Sequence, residues 1–340
     1  MRKESLLAAF FLLALLGVFL AEVSFGAYSL SLRDIIACIT GASVPPEVRA
    51  VLDMRLRRAL AAVAVGAILG SSTMVLQSSL RNVLASPFTL GVQQAASIGA
   101  AVALMALYGG SVTRWSISVT NPFVVSGFAF LSALAQTLLI LALSAAGGLT
   151  AYAVVLVSVT MSFITQAILS LLQYLYFNEI LVAALLFWTF GDVGRPSWQE
   201  IHILGITAAL SLAVYWYFSM DLDLLMVGDD VARSSGVNPS ATRVVLLLAA
   251  ALATAVSVSF AGVIGFVGLA GGVMARQIAG WSNRRSLPLA ATLGATLLVL
   301  SDLVGRTVLS PIVIPVGIMT TIIGAPLLVY LVVRGKHGQH

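Results

Sequence analysis

Three arginines lie close together ahead of a long apolar segment. Arg55, Arg57 and Arg58 fall within one turn of a helix, in the stretch MRLRR. A guanidinium carries a fixed fork of N–H donors that pairs bidentately with a carboxylate, so this cluster is suited to binding carboxylates. Arginines at a helix end also extend to the membrane surface while their stems cover apolar atoms. The residues alone leave both interpretations open.

Residues 220–240 form the longest polar interval after the first apolar segment. Apolar residues recur at helical spacing within it, namely Leu224, Val227, Val231 and Ala232, and glycines stand at Gly228 and Gly236. This pattern predicts two short amphipathic helices rather than a flexible linker. A helix pair with one apolar and one acidic face can bind in a groove of a soluble partner. A solvated loop is the alternative.

The fifth predicted helix, residues 151–175, carries six polar side chains on one face. At about 100° per residue they fall within an arc of about 140°. They are Ser158, Ser162, Thr165, Gln166, Ser170 and Gln173. Hydrogen bonding between helices explains a single serine in lipid, but six polar groups with two glutamines favour one wall of a water-accessible pathway.

The sequence contains few residues that could bind a nucleotide or a metal ion or catalyse a reaction. A P-loop needs a lysine that reaches the nucleotide phosphates, and the only lysines, Lys3 and Lys336, stand near the two termini. The three histidines and the single cysteine are not at metal-ligand spacing. We therefore predict no catalytic residue, no metal site and no cofactor in this chain. Asp302 is the clearest acidic residue inside a predicted span; pairing with Arg306 is favoured over a proton relay in an ion-coupled transporter, which is the alternative.

Composition indicates the environment of these residues. Of 340 residues, 60% are hydrophobic and 9% are charged, and the mean hydropathy is +1.05. Soluble domains carry about 25% charged residues, so a soluble globule is excluded. The net charge of +5 comes from dispersed basic residues without interleaved aromatics, which excludes a nucleic-acid-binding surface and fits the basic loops of a membrane protein.

The predicted fold is all-α, a polytopic membrane protein of about ten transmembrane helices, with residues 1–340 as one transmembrane domain. An even count puts both termini on one side, and the basic residues favour the cytoplasm. The spans are predicted at Leu6–Leu20, Ala59–Leu80, Gly91–Leu107, Pro122–Ala146, Ala151–Leu175, Ile201–Phe218, Val244–Phe260, Gly265–Ala279, Leu287–Val304 and Pro315–Val333. A broken amphipathic piece is expected around Ile180–Trp198.

Five segments, in order, carry a resemblance to a known family. They are Met54–Ala100, with Arg-Leu-x-Arg leading a Gly-rich helix, and Phe187–Trp198, Leu222–Val237, Phe260–Leu269 and Asp302–Leu331. Together they resemble the permease subunits of ATP-binding-cassette importers for ferric siderophores, haem and cobalamin. In the family Gly-Phe-x-Gly-Leu is usually followed by two residues and then Pro-His. This chain has Ala270, Gly271, Gly272 and Val273 instead, and the flexibility of the two glycines can replace the helix break of proline.

The resemblance implies partners on both faces of a cell membrane. On the outer face, a substrate-binding protein docks by pairing its carboxylates with Arg55, Arg58 and Arg306, and Arg57 lies beside these arginines. Inside, two ATPase subunits that bind ATP and Mg contact the loop 220–240. The residues of that loop implied in coupling are Leu224, Gly228, Asp229, Asp230, Ala232, Arg233 and Gly236.

Further implications concern assembly and cargo. A second copy of the chain completes the pathway within the lipid bilayer, and the turn Gly147, Gly148, Leu149 and Thr150 lies at the cytoplasmic gate. The implied cargo is an iron chelate, haem or a corrinoid, and an oxyanion such as molybdate is the alternative within the family.

Overall fold

The computed structural model describes residues 2–26, 28, 30–40, 44–108 and 122–335; Lys336 lies outside them. Every regular element in these ranges is an α-helix. The helices are α1 (Arg2–Ser24), α2 (Leu32–Ile39), α3 (Pro46–Ser79), α4 (Val92–Tyr108), α5 (Pro122–Ala145), α6 (Ala151–Tyr176), α7 (Glu179–Thr189), α8 (Trp198–Tyr217), α9 (Ser219–Val227), α10 (Asp229–Ser234), α11 (Pro239–Ala261), α12 (Val267–Ala279), α13 (Asn283–Thr307) and α14 (Val316–Gly335).

Six of the described helices are long and apolar enough to cross a membrane: α3, α5, α6, α8, α11 and α13. Shorter apolar stretches lie in α1, α4, α7 and α14. The all-helical, polytopic membrane fold predicted from the sequence is therefore confirmed, while the count of about ten spans stays a prediction. The broken piece expected after the fifth span contains a regular helix, α7, followed by a loop.

The central helix, α3, begins earlier than the sequence predicts. It starts at Pro46, a residue suited to the first helical turn, whereas the predicted span starts at Ala59. Arg55, Arg57 and Arg58 thus lie inside the helix and not ahead of it. The difference has a simple cause, because hydropathy detects the apolar part of a helix and gives no signal for polar turns that extend it.

Glycines set the distance between α3 and α13. A Cβ at Gly66 would overlap the backbone carbonyl of Gly294, and a Cβ at Gly70 would overlap that of Ala290. Small residues let two membrane helices approach to backbone contact, as the four-residue spacing of Gly66 and Gly70 predicts. These contacts make α3 and α13 an antiparallel pair at the centre of the bundle.

Helix α12 is continuous through Gly271 and Gly272, in the segment where the family usually has Pro-His. Gly271 faces the backbone of α13 at Gly294, and Gly272 faces the side chain of Gln77 in α3. Both glycines permit close packing, so the expectation that they supply a flexible break is wrong. The helical path is interrupted before α12, where Phe266 has a positive φ of 63°.

The antiparallel pair defines two ends of the bundle. The stretch of α3 from Arg58 to Ser78 is about 30 Å long at about 1.5 Å per residue, which matches the hydrocarbon thickness of a bilayer. We call the end that contains Arg58, Asp302 and Arg306 the arginine end. The opposite end, which contains α9, α10 and the α5–α6 turn (residues 146–150), is the α10 end.

Candidate functional site

The arginine end contains a buried network of ion pairs. Arg58 binds Asp302 bidentately, with Nε 2.7 Å from Oδ2 and Nη2 2.8 Å from Oδ1. The same Nη2 lies 3.0 Å from Asp192, in the loop between α7 and α8. The predicted pair of Asp302 with Arg306 is also present, at 3.7 Å. Because Asp302 is fully buried, these cations compensate a charge that would otherwise be costly to bury.

Arg306 and Arg55 connect the end of α1 to α13 and α3. Arg306 lies with Nη2 2.5 Å from a carboxylate oxygen of the buried Glu22, and it also donates to the Glu22 carbonyl at 2.8 Å. Arg55 is 2% exposed. It donates to three carbonyl oxygens, those of Val23, Ser24 and Tyr28. Carbonyls at a helix C-terminus lack partners within the helix, and Arg55 supplies partners for those of Val23 and Ser24, the last two residues of α1.

The four arginines predicted to dock a binding protein therefore differ in accessibility. The side chains of Arg55, Arg58 and Arg306 are engaged inside the chain. Arg57 is 30% exposed and pairs with Asp53 of the same helix at 3.0 Å. Asp53 in turn accepts a 2.9 Å hydrogen bond from the indole of Trp198. The docking role of all four arginines stays a prediction.

At the α10 end, the structure contains the two short helices that the sequence predicts. Helices α9 and α10 meet at Gly228, and α10 ends in a compact turn at Gly236, which has a φ of +85°. The Val237 N–H donates to the Ala232 carbonyl at 2.9 Å and so closes the turn. A residue with a Cβ would be strained at Gly236. The segment is thus an ordered helix pair, as predicted.

This helix pair has a buried face and an exposed face. The buried side chains are Leu222, Leu225 and Ala232, each without exposed surface. The exposed apolar side chains are Met220, Val227 and Val231, which are 67%, 68% and 42% exposed. Asp230 stands beside them and pairs with Arg233 at 3.3 Å across the surface. The exposed side of the helix pair thus carries both apolar and charged side chains.

The residues predicted to couple to an ATPase divide between this surface and the interior. Exposed are Asp230, Arg233 and Gly236; half-buried are Leu224, Gly228 and Asp229; buried is Ala232. Asp229 points inward, towards Arg243. The coupling role of the set stays a prediction, and the division separates residues that a partner can touch from residues that hold the helix pair in place.

Sequence analysis did not identify Arg243, which occupies the second turn of α11 and is fully buried. Its Nε donates to the carbonyl of Ser79 at 3.1 Å and its Nη1 to the carbonyl of Leu149 at 2.7 Å. Its Nη2 binds Asp229 at 2.8 Å. One guanidinium therefore connects α10, the α5–α6 turn and the end of α3. The only signal in the sequence is a charge directly before an apolar run.

A second polar cluster ties α9 to the neighbouring helices. Asp223 accepts hydrogen bonds from the backbone N–H and the side-chain amide of Asn283, both at 2.7 Å, where α13 begins. Arg276 of α12 donates to Asn283 at 3.1 Å and to the hydroxyl of Ser78 in α3. The cluster fixes α9 against three longer helices. Its members are far apart in sequence, so no local pattern predicts it.

The α5–α6 turn contains the predicted gate residues in a constrained conformation. Gly148 and Leu149 both have positive φ, at +70° and +53°. The Leu149 N–H donates to the Ser144 carbonyl at 3.0 Å, and the hydroxyl of Thr150 caps α6. A positive φ is unusual for leucine and persists only where the surroundings enforce it. A gate at this turn, with Gly147 and Gly148 as its hinges, stays a prediction.

The polar face of α6 divides into two groups. Ser158 and Thr165 are buried, Ser162 is half-buried, and the Thr165 hydroxyl donates to Gln136 of α5 at 2.5 Å. Hydrogen bonding within the bundle thus accounts for the Thr165 hydroxyl. The second group faces away from the chain's interior: Gln166 and Ser170 are exposed and Gln173 is half-buried. A pathway along α6 stays a prediction.

Comparisons with known proteins agree on one family. Residues 12–334 match the model of the FecCD transport family. A Methanocaldococcus jannaschii protein named as an ABC transporter permease is 37% identical over 329 residues, which cover 96% of this chain and 94% of that protein. The vitamin B12 import system permease BtuC of Vibrio vulnificus is 34% identical over 296 residues, covering 86% and 85%.

A solved structure has the same fold along nearly the whole chain. It is described as an inward-facing conformation of a metal-chelate type ABC transporter, and it superposes with a TM-score of 0.83 at 26% identity, covering 96% of this chain and 99% of the other. The family match extends over more than half of the sequence and agrees with the arrangement of helices. This chain belongs to the FecCD transport family.

Proposed function

We propose that this chain is the permease subunit of an ATP-driven importer in a prokaryotic cell membrane, with both termini in the cytoplasm. It would carry an iron chelate, haem or a corrinoid delivered by an extracytoplasmic binding protein. The family, a relative that imports vitamin B12 and a structural neighbour of the metal-chelate type support this substrate class. The chain itself makes and breaks no covalent bond.

The exposed face of α9 and α10 is the observation that carries the proposal. Val227 and Val231 are exposed apolar groups at one end of the bundle, and Asp230 adds a charge beside them. Apolar surface of this kind, outside the membrane, favours a protein partner. We infer that this partner is an ATPase subunit, one for each permease, which binds ATP and Mg in place of the P-loop that this chain lacks.

The exposed side of α6 supports the proposal that the chain pairs with a second copy of itself. Only 22% of its most apolar stretch is buried within the chain, and Gln166, Ser170 and Gln173 follow one another along its outer side. Polar side chains in a span avoid lipid and face a partner helix or a water-filled cavity. In a homodimer two such faces would enclose a polar, uncharged pathway that lets a large chelate pass without binding it tightly.

Transport follows from these parts. ATP binding and hydrolysis in the partner move α9 and α10, and this movement tilts the long helices so that the pathway opens to alternate sides of the membrane. The α5–α6 turn closes the pathway on the cytoplasmic side. Alternating access needs two arrangements of the same packed helices, and the ATPase supplies the free energy that drives the exchange between them.

The binding protein would dock at the arginine end. Arg57 can meet a partner's carboxylate directly, because 30% of its side chain is exposed. Arg55, Arg58 and Arg306 would have to exchange their present partners to do the same. We propose that these three contribute mainly by fixing the ends of α1, α3 and α13, which form the docking surface.

An ion-coupled transporter is the alternative of a different class. It requires an acidic side chain that can gain and lose a proton during transport. Asp302 is the clearest acidic residue that the sequence places in a span, and Arg58 holds it bidentately. Both carboxylate oxygens of Asp302 are thus engaged by one guanidinium, which argues against a relay.

Reconstitution in liposomes tests the proposal. The chain is combined with its candidate ATPase and binding protein and assayed with a radiolabelled ferric hydroxamate, haem and cobalamin. We expect uptake that requires ATP, that an ATPase without its P-loop lysine abolishes, and that an ionophore collapsing the proton gradient leaves intact. Uptake that survives loss of the ATPase and stops with the ionophore would refute the proposal in favour of ion coupling.

A further inference from the structure

Arg243 has a position that nothing in the family resemblance explains. It lies at the start of α11, is fully buried, and bonds to three separate elements of the α10 end. Two of its partners are backbone carbonyls, of Ser79 and Leu149, and the third is the carboxylate of Asp229. We propose that Arg243 is a positioning residue that transmits the movement of α10 to the α5–α6 turn, an inference that rests on the proposed function.

The chemistry of the guanidinium makes it suited to this task. Its N–H donors form a planar, rigid fork, so the group cannot follow one partner without changing its direction towards the others. Asp229 lies in the first turn of α10, the helix whose outer face we assign to the ATPase. A shift of α10 that moves Asp229 therefore rotates or pulls the donors that hold Ser79 and Leu149.

The buried charge makes the connection obligatory. Arg243 has no exposed surface, and separating it from Asp229 would leave an uncompensated charge in the interior. Arg81 is the second cation near Asp229, at 3.7 Å, and it is 43% exposed, so solvent can take over its charge. Of these two arginines, only Arg243 must stay with Asp229 when α10 moves.

The receiving element is held in a conformation that depends on its contacts. Gly148 and Leu149 have consecutive positive φ values, and the Leu149 carbonyl accepts from Arg243. The hydroxyl of Ser240, also on α11, contacts the Gly148 carbonyl at 3.4 Å. Because leucine resists a positive φ, weakening these contacts favours another conformation of the turn. Helix α6 begins directly after it, so the change reaches the proposed pathway.

Hydrogen exchange on the full chain in nanodiscs tests the connection without any partner. We expect Asp229→Asn and Arg243→Gln to raise the exchange rate of backbone amides in residues 144–150 at least fivefold. The effect of Asp229→Asn decides the matter, because the bonds of Asp229 go to arginines and none to the turn. The control is Arg284→Gln. Arg284 is an exposed arginine at the start of α13, and its guanidinium lies over the ring of Trp216 in α8. Amide exchange in residues 144–150 should be unchanged in this variant.

The complete transporter tests what the connection does. With the ATPase and binding protein present, Arg243→Gln should keep the ATPase bound and hydrolysing ATP while the amount of ferric hydroxamate or cobalamin imported per ATP falls about tenfold. Arg243→Lys retains the charge but loses the fork, so an intermediate ratio is expected. Arg243→Lys and Asp229→Asn carry the test if Arg243→Gln fails to fold.

Two results would overturn the inference. One is unchanged exchange in residues 144–150 for Asp229→Asn. The other is a parallel loss of uptake and ATP hydrolysis, with an unchanged ratio, in every Arg243 variant, which would indicate a purely structural role. If the wild-type complex shows no ATP-dependent uptake, the proposed function fails, and the exchange experiment still decides whether α10 and the turn are connected.

Discussion

The arginine end and the α10 end both depend on buried arginines, yet the arginines have different partners. At the arginine end, Arg58 and Arg306 face the carboxylates of Asp302 and Glu22, which are themselves fully buried. At the α10 end, Arg243 binds two backbone carbonyls and one carboxylate that belongs to a short surface helix. The first arrangement locks long helices to one another. The second links a surface helix to the interior, which suits the movement that we propose for the α10 end.

The largest expected effect on the free energy of unfolding comes from removing the buried pair of Arg58 and Asp302 at the arginine end. Arg58→Met leaves Asp302 buried with only the more distant Arg306, and removing one partner of a buried pair costs about 3–5 kcal/mol of unfolding free energy. The matched control is Arg57→Met, which removes an exposed pair worth at most about 1 kcal/mol. Reversible unfolding in mixed detergent micelles measures both variants. Equal losses would mean that the buried network contributes no more than a surface pair.

The second-largest loss of stability is expected at the contact between α3 and α13, the antiparallel helices that connect the two ends. In Gly70→Ala the new Cβ overlaps the Ala290 carbonyl, so α3 and α13 must move apart at a cost of about 1–3 kcal/mol. Gly205→Ala in α8 is the control, because a Cβ there meets no atom within 4 Å. Unfolding measurements should give a loss for the first variant and none for the second. A neutral Gly70→Ala would contradict the close approach of the two helices.

A smaller effect is expected at the end of α10. Gly236→Ala forces a side chain into a positive φ of 85°, which costs about 1–2 kcal/mol. The strain is local, so it should appear as faster hydrogen exchange in residues 229–237 with little change in global unfolding. The neighbouring Ser235→Ala, at a negative φ of −91°, should leave exchange unaffected. If both variants behave alike, the glycine is not needed for the turn.

The smallest effect on the chain itself is expected for Asp230→Asn. The side chain of Asp230 is fully exposed, so no change in the unfolding transition should be measurable, whereas Asp229→Asn should lower it. In the complex with the ATPase, Asp230→Asn should have a measurable effect, because the exposed Asp230 lies on the face proposed to bind the ATPase. We expect Asp230→Asn to weaken ATPase binding in a pull-down titration. Destabilisation of the isolated chain by this variant would argue against the division of α10 into inner and outer faces.

The amino-acid sequence was sufficient to predict the class of protein, the positions of most spans, the helix pair in residues 220–240 and the family. Each of these follows from neighbouring residues: a sustained apolar run, a 3.6-residue period, or a short motif. Because these signals come from neighbouring residues only, two expectations about α3 and α12 were wrong. Hydropathy placed the start of α3 at Ala59 because the preceding helical turns are polar, and it gave no sign that Gly271 and Gly272 pack against neighbouring helices.

Which charges pair with one another depends instead on how the helices pack. Arg58 binds a carboxylate 244 positions away, and Arg243 binds a carbonyl 164 positions away. Such pairs depend on the register between helices, which is set by backbone contacts such as that of Gly66 with Gly294. Because a buried charge selects its partner by geometry and desolvation, the composition of a local segment cannot reveal it. For this reason the contacts by which Arg243 joins α10 to the interior could be identified only in the folded chain.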